Sequence, residues 1–178
     1  MQTAHELFLH EMSDILDGER QLVEALEEQA NNASRPELQK AFESHRNQTQ
    51  KQVQRLEQAF QSVGEEPEQT ECKGLKGLIE EYKTFAQEDP AEDILDIFST
   101  GAAEKVEKYE ISTYESLIRL ARQMKHTKAA QLLSQNLKEE QQTLKKMQTF
   151  GKKLKPENMG MEEMEEQPRG RGRSRRAA

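Results

Sequence analysis

Residues 104–114 read EKVEKYEISTY, and two glutamates in this stretch stand where a packed helix normally places apolar side chains. Apolar residues recur at steps of three or four through the surrounding segment, which is the spacing of one face of an α-helix. That face runs through Leu95, Phe98, Ala103, Glu107, Glu110, Tyr114, Leu117 and Ala121. The helix is therefore predicted to turn two carboxylates toward the protein interior.

The composition is typical of long amphipathic helices. Of the 178 residues, 33% are hydrophobic and 33% are charged, and this fits one domain. No run approaches the roughly 20 apolar residues of a membrane span, and the N-terminus lacks a signal-peptide pattern. We therefore expect a cytoplasmic protein without membrane contact. The single cysteine, Cys72, excludes an internal disulfide and a thiolate metal site.

Capping and stop signals predict four long helices. A capping side chain stands three residues before a Glu in TAHE (3–6), SRPE (34–37) and DPAE (89–92), and the last two motifs also contain proline. A further helix starts near Thr127, and Gly64 marks a stop. The predicted helices cover residues 4–31, 35–63, 90–125 and 128–154.

The long link between the second and third predicted helices decides the topology. Its segment GLKGLIEEYKTF (74–85) has the apolar stripe of a short helix, formed by Leu75, Leu78, Ile79, Tyr82 and Phe85. Such a link suits a crossover, whereas the short loops after the first and third helices suit antiparallel pairs. We predict an all-α four-helix bundle in residues 1–156. The ferritin-like layout fits this pattern, and the cytokine layout is the alternative.

Every predicted long helix breaks its apolar stripe near its midpoint. On the fourth helix the stripe is drawn through Leu133, Leu137, Glu140, Leu144 and Met147. Because antiparallel helices bring their midpoints to one height, these polar positions are predicted to meet in a layer. Its members are Glu19, the block from His45 to Gln52, Glu107, Glu110 and Glu140.

Two explanations of this polar layer are open from the residues alone. Buried carboxylates need compensating positive charge, and a divalent metal pair supplies it in some four-helix bundles. The alternative is ion pairing, in which Lys105 or Lys108 reaches Glu107 or Glu110 and an arginine pairs with Glu140. His45 by itself fits an interior histidine as well as a ligand.

The segment 157–178, ENMGMEEMEEQPRGRGRSRRAA, is acidic and then rich in arginine and glycine. It contains too few apolar residues for a core and is predicted to be disordered. The net charge of -7 argues against a main body that wraps nucleic acid. The arginine-rich tip predicts a weak contact with nucleic acid or another anionic surface, and the alternative is a tail that only aids solubility.

Four segments together resemble the YciE/YciF-type ferritin-like proteins, which are bacterial proteins tied to stress responses. The segments are residues 10–30, 42–57, 105–121 and 129–147, and the resemblance covers about residues 3–154. It implies a ferritin-like bundle with a di-metal site for Fe or Mn. The implied acidic ligands are Glu19, Glu107 and Glu140, while Glu110 and His45 match positions that either bind metal or support the ligands.

The chain departs from that family pattern at three positions. Gln48 stands where a Glu is common, Gln52 where a His is often found, and Leu144 where an acidic residue is common. Amide oxygens bind Fe²⁺ or Mn²⁺ more weakly than carboxylates do. The departures predict a partly degenerate site, which either holds one metal on the four glutamates with His45 nearby or has lost its metal.

Two functions follow from the resemblance. In the first, a stress-associated bundle is non-catalytic or binds metal weakly, and it acts through self-association or partners. In the alternative, a di-iron or di-manganese protein handles iron, O₂ or peroxide, with Tyr114 as a redox or hydrogen-bonding neighbour. Apolar residues read as exposed, such as Ile118 and Phe150, predict a homodimer.

Overall fold

A computed structural model describes residues 1–156, so the predicted disordered, arginine-tipped tail at 157–178 lies outside the described residues. The described chain forms five helices in this order: α1 (Ala4–Asn32), α2 (Pro36–Val63), α3 (Lys73–Ala86), α4 (Glu92–Gln123) and α5 (Thr127–Lys153). These confirm the four long predicted helices and the short helix between the second and third. Within residues 1–156 no helix is both long enough and apolar enough to cross a membrane.

The helices form two antiparallel hairpins. Loops of three residues join α1 to α2 and α4 to α5. In the first hairpin Arg20 pairs with Glu57 at 2.9 Å, and Arg46 pairs with Glu27 at 2.8 Å. Position numbers rise on one helix as they fall on the other, which is the antiparallel register.

The crossover makes α2 and α4 parallel. Arg35 at the start of α2 meets Asp96 near the start of α4, and His45, about one-third of the way along α2, meets Glu107 at the middle of α4. Two hairpins joined by one long crossover form the ferritin-like arrangement, whereas the cytokine layout needs two long crossovers. The predicted all-α ferritin-like bundle is confirmed.

Helix α3 lies within the crossover and forms a strap that packs against α1 and α4. The Cys72 amide donates to Asp17 Oδ2 at 2.8 Å, and the phenyl rings of Phe85 and Phe98 stack at 3.9 Å. Gly18 allows the close approach, because a Cβ at this position would lie 2.4 Å from a methyl of Leu75. The strap therefore covers the side of the bundle that α1 and α4 share.

Only one of the three predicted capping boxes forms. Thr3 and Glu6 make both hydrogen bonds of the box at the start of α1. Ser34 does not cap α2, whose N-cap is Arg35, because its hydroxyl binds Asp96. Asp89 does not cap α4, since it has a φ of 54° and the helix begins after Ala91. The predicted cap therefore fails at Ser34 because a tertiary partner takes its hydroxyl, and at Asp89 because the backbone there is left-handed.

The buried face of α5 also differs from the predicted stripe. Leu137 and Leu144 are half-buried, whereas Asn136 and Thr143 face the interior. The interior stripe is Leu133, Asn136, Glu140, Thr143 and Met147. On α4, Ile118 is only 5% exposed, so the prediction that this side chain is exposed was wrong.

Asp96 anchors the loop between α1 and α2 to α4. This carboxylate is fully buried and accepts hydrogen bonds from the Ser34 amide at 3.0 Å, the Ser34 hydroxyl at 2.7 Å and Arg35 at 3.1 Å. A carboxylate can accept hydrogen bonds from all three donors, since each of its two oxygens can accept more than one. The contact holds the two hairpins in register.

Asp96→Asn is expected to destabilise the protein by about 2 kcal/mol, because hydrogen bonds to a charged partner become bonds to a neutral amide. Urea unfolding measures this loss. Glu115→Gln makes the same chemical change at an exposed position of α4 and should stay within about 0.5 kcal/mol of the parent protein. Equal stability of the two variants would contradict the anchoring role of Asp96.

Candidate metal centre

The structure buries all five predicted ligands at one level of the bundle. Glu19, Glu107, Glu110 and Glu140 have no exposed surface, and His45 is 4% exposed. Glu19 lies on α1, His45 on α2, Glu107 and Glu110 on α4, and Glu140 on α5. Every long helix therefore contributes an ionisable side chain to one interior layer.

These five residues form two overlapping groups of three, which have one residue in common. In one group, a ligand atom from each of His45, Glu107 and Glu140 lies within 4.8 Å of the other two. In the second group the same holds for Glu19, Glu110 and Glu140. Glu140 belongs to both groups, so its carboxyl group is the member that they share.

The layer contains every buried side-chain polar atom of residues 1–156 that has no hydrogen-bond partner. Buried polar groups in proteins are normally paired, so such atoms gathered at one place mark a candidate site for a bound ion or ligand. The nine atoms are Oε2 of Glu19 and Glu140, both carboxylate oxygens of Glu107 and Glu110, both ring nitrogens of His45, and Oε1 of Gln52.

Burial strongly changes the pKa of each acid in the layer. It raises the pKa of Glu19 to about 8, against the lowering effect of the Tyr114 hydrogen bond. It likewise raises the pKa of Glu107 to about 8, against the lowering effect of the nearby Glu140 carboxyl group. Burial, together with the neighbouring carboxylates, raises the pKa of Glu110 and Glu140 well above the usual range. Without a cation, the glutamates hold protons at neutral pH.

His45 stays neutral in the same surroundings. Burial and, to a smaller extent, the charge of Lys146 lower the pKa of His45 to about 4. Its Nε2 lies 3.3 Å from Glu107 Oε1, yet no hydrogen bond joins them. A neutral imidazole with free ring nitrogens is the form that binds metal.

The ion pairs weighed as the alternative explanation do not form in the described chain. Lys105 reaches Glu81 at 2.6 Å, and Lys108 reaches Glu104 at 3.4 Å. Arg55 contacts α5 through Asn136 but forms its ion pair with Glu139. No lysine or arginine of residues 1–156 forms a salt bridge with an acid of the layer. Positive charge must therefore come from protons or from a bound cation.

The three departures from the family pattern occupy different surroundings. Gln52 is fully buried, and its amide nitrogen donates to Glu140 Oε1, so it supports a carboxylate from the neighbouring helix. Gln48 is half-buried and donates to the Thr143 hydroxyl at 3.2 Å. Leu144 is half-buried beside the interior stripe of α5.

Two further interior residues contact the layer. Tyr114 donates its hydroxyl hydrogen to Glu19 Oε1, and Asn136 donates to the Tyr114 hydroxyl oxygen at 3.0 Å. Sequence reasoning named Tyr114 but missed Asn136, because the α5 stripe was drawn through Leu137. The step of four from Asn136 to Glu140 was the signal that could have placed Asn136 on the inner face.

The comparisons with known proteins agree on a single family. Residues 3–159 match the family described as domain of unknown function DUF892. The chain is 35% identical over 144 residues to protein YciF of Escherichia coli strain K12, and the match spans 80% of this chain and 87% of YciF.

Solved structures show the same likeness. The crystal structure of the E. coli stress protein YciF has a TM-score of 0.83 at 34% identity, covering 85% of this chain and 96% of that one. YcfI from Rhodopseudomonas palustris has a TM-score of 0.81 at 35% identity, covering 83% and 94%. Protein XCC3681 from Xanthomonas campestris pv. campestris, at 16% identity, covers 84% and 92% with a TM-score of 0.68 and shares the fold alone. The chain therefore belongs to the DUF892 family of YciE/YciF-type proteins, which confirms the resemblance in its sequence.

Proposed function

We propose that this protein binds two divalent transition-metal ions, Fe²⁺ or Mn²⁺, in its carboxylate layer as part of a stress response. The observation that carries the proposal is the pair of buried ligand groups that share Glu140. The similar E. coli protein YciF is described as a stress protein, and this supports the biological setting.

Charge balance favours two ions. Four ionised glutamates carry four negative charges, and two divalent cations carry four positive charges, so the loaded layer is neutral. The nine unpaired atoms include seven oxygens and the two nitrogens of His45, which are donors that Fe²⁺ and Mn²⁺ accept. The three positions where ligands were expected to be missing, Gln48, Gln52 and Leu144, need not contribute a ligand for both groups to form.

The two positions differ in chemistry. One group combines the His45 imidazole with Glu107 and Glu140, whereas the other offers only carboxylates, from Glu19, Glu110 and Glu140. Imidazole suits iron, and all-carboxylate sites suit manganese. The position that contains His45 should therefore bind iron more tightly than the all-carboxylate position does.

Iron or manganese bound in this layer would supply redox chemistry with O₂ or peroxide. The chain's own residues hold the carboxylates in place and exclude water, since every ligand is buried. Tyr114 fixes one oxygen of Glu19 and Gln52 fixes one oxygen of Glu140. The proposed role is metal binding, which does not depend on whether the bound metal then reacts with O₂ or peroxide.

Protein purified without chelator is expected to contain about two Fe or Mn per chain by elemental analysis. His45→Ala should reduce this to about one, because the remaining group is all-carboxylate. His10→Ala, a change at a half-buried histidine outside the layer, is the matched control and should keep the parent content. Less than about 0.2 metal per chain, also after reconstitution with Fe²⁺ or Mn²⁺, would overturn the proposal.

The metal-free protein is expected to lose stability as pH rises from 6.5 to 8. Because the pKa values of Glu19 and Glu107 are about 8 when folded, the folded state retains protons that the unfolded chain has already released near pH 4.5. Each retained proton lowers the free energy of unfolding by about 1.4 kcal/mol per pH unit in this window. His45 acts in the opposite sense, but only below its ordinary pKa of 6.5.

Urea unfolding in chelator at pH 6.5 and pH 8 measures this loss. Glu110→Gln should reduce the pH dependence, because it removes one of the retained protons, whereas the exposed change Glu115→Gln should leave it intact. Metal-loaded protein should lack the fall, since the cations replace the protons. A stability of metal-free protein that is flat or rising over this range would contradict the shared burial of the acids.

A further inference from the structure

A chain of hydrogen bonds connects the bundle surface to Glu19. Arg55 of α2 donates to Asn136 Oδ1 at 2.9 Å, Asn136 Nδ2 donates to the Tyr114 hydroxyl oxygen at 3.0 Å, and Tyr114 donates to Glu19 Oε1. Asn136, Tyr114 and Glu19 are all fully buried. Four helices thus contribute one residue each to a continuous path.

The amide of Asn136 has only one suitable orientation. Its oxygen faces the Arg55 guanidinium, which can only donate, and its nitrogen also donates to the backbone carbonyl of Gln52 at 3.3 Å. A flipped amide would turn its nitrogen toward a cation and its oxygen toward a carbonyl oxygen. Two separate contacts therefore keep Nδ2 directed at Tyr114.

That orientation determines the direction of the next hydrogen bond. A tyrosine hydroxyl has one hydrogen to donate. Because Asn136 already donates to the hydroxyl oxygen, the hydrogen of Tyr114 is free to point at Glu19 Oε1. The second oxygen, Oε2 of Glu19, has no partner and belongs to the layer of unpaired atoms.

The outer end of the chain is itself anchored. Arg55 makes two parallel hydrogen bonds to Glu139, at 2.7 Å and 2.8 Å, and this bidentate geometry restrains a planar guanidinium. The side chains of Arg55 and Glu139 are 18% and 27% exposed. They lie beside an open groove of about 500 Å³ between α2 and α5. The path therefore runs from a surface ion pair to the all-carboxylate position.

We propose that Asn136, oriented by Arg55, is a positioning residue for the all-carboxylate metal position, because it makes Tyr114 donate to Glu19 and leaves the opposite Glu19 oxygen for the cation. The inference rests on the proposed metal binding. Residues that support a metal ligand in this way are commonly worth 10- to 100-fold in metal affinity.

Asn136→Asp tests the proposal with little change of size. An aspartate keeps the acceptor for Arg55 but replaces the donor to Tyr114 with an acceptor, so the hydroxyl hydrogen turns away from Glu19. Co²⁺ titration followed by visible absorption should show the affinity of one of the two equivalents weakened by about 10- to 100-fold. The equivalent bound at the His45 group should keep its affinity and its spectrum.

The control for the added charge is Gln135→Glu on the exposed face of the same helix turn, which should titrate like the parent protein. Tyr114→Phe removes the link at its other end and should weaken the same equivalent. If Tyr114 transmits the effect, the double variant Asn136→Asp with Tyr114→Phe should be no weaker than Tyr114→Phe alone. Additive losses would instead indicate general damage and overturn the inference.

The outcomes separate the two proposals. If the parent protein binds no Co²⁺, the proposed metal function fails and the inference fails with it. If the parent binds two equivalents and Asn136→Asp binds them as Gln135→Glu does, metal binding stands and the positioning role is wrong. Should Asn136→Asp not fold by circular dichroism, Tyr114→Phe decides alone, and unchanged Co²⁺ affinity in that variant overturns the role.

Discussion

Four carboxyl groups buried at one depth of a helical bundle must either keep their protons or be surrounded by positive charge. Glu19, Glu107, Glu110 and Glu140 come from three helices, and none of them is paired with a lysine or arginine among the described residues. The free-energy cost of burying unpaired charge is too large to be offset by the packing around the layer. The apolar turns above and below therefore hold together a layer that is stable only with protons or cations inside it.

The direction of the helices decides which acids meet. The long crossover makes α2 parallel to α4, so His45 lies opposite Glu107, whereas the antiparallel contact of α1 with α4 places Glu19 beside Tyr114. An up-down bundle without the crossover would pair different positions. The strap formed by α3 and the hydrogen bonds to Asp96 hold this arrangement at the two ends of the crossover.

The side chains around the layer keep its centre free of fixed positive charge. Lys105 and Lys108 pair with acids on the outer faces, and Arg55 is held by Glu139. The groups that touch the buried acids directly are neutral donors, the Tyr114 hydroxyl and the Gln52 amide. Neutral donors can orient a carboxylate without competing with a divalent ion for its charge, and this is why the layer suits a cation.

The sequence by itself determined the helices, the crossover and the four inward-facing glutamates, although not the buried Asp96, because stop signals and helical periodicity are local. It did not determine the inner face of α5, where Asn136 rather than Leu137 turns inward, since adjacent positions differ by about 100° and only the partners across the interface choose between them. The tertiary structure alone decided that Glu140 belongs to two ligand groups. A shared ligand depends on the relative height of four helices, and no single segment contains that information.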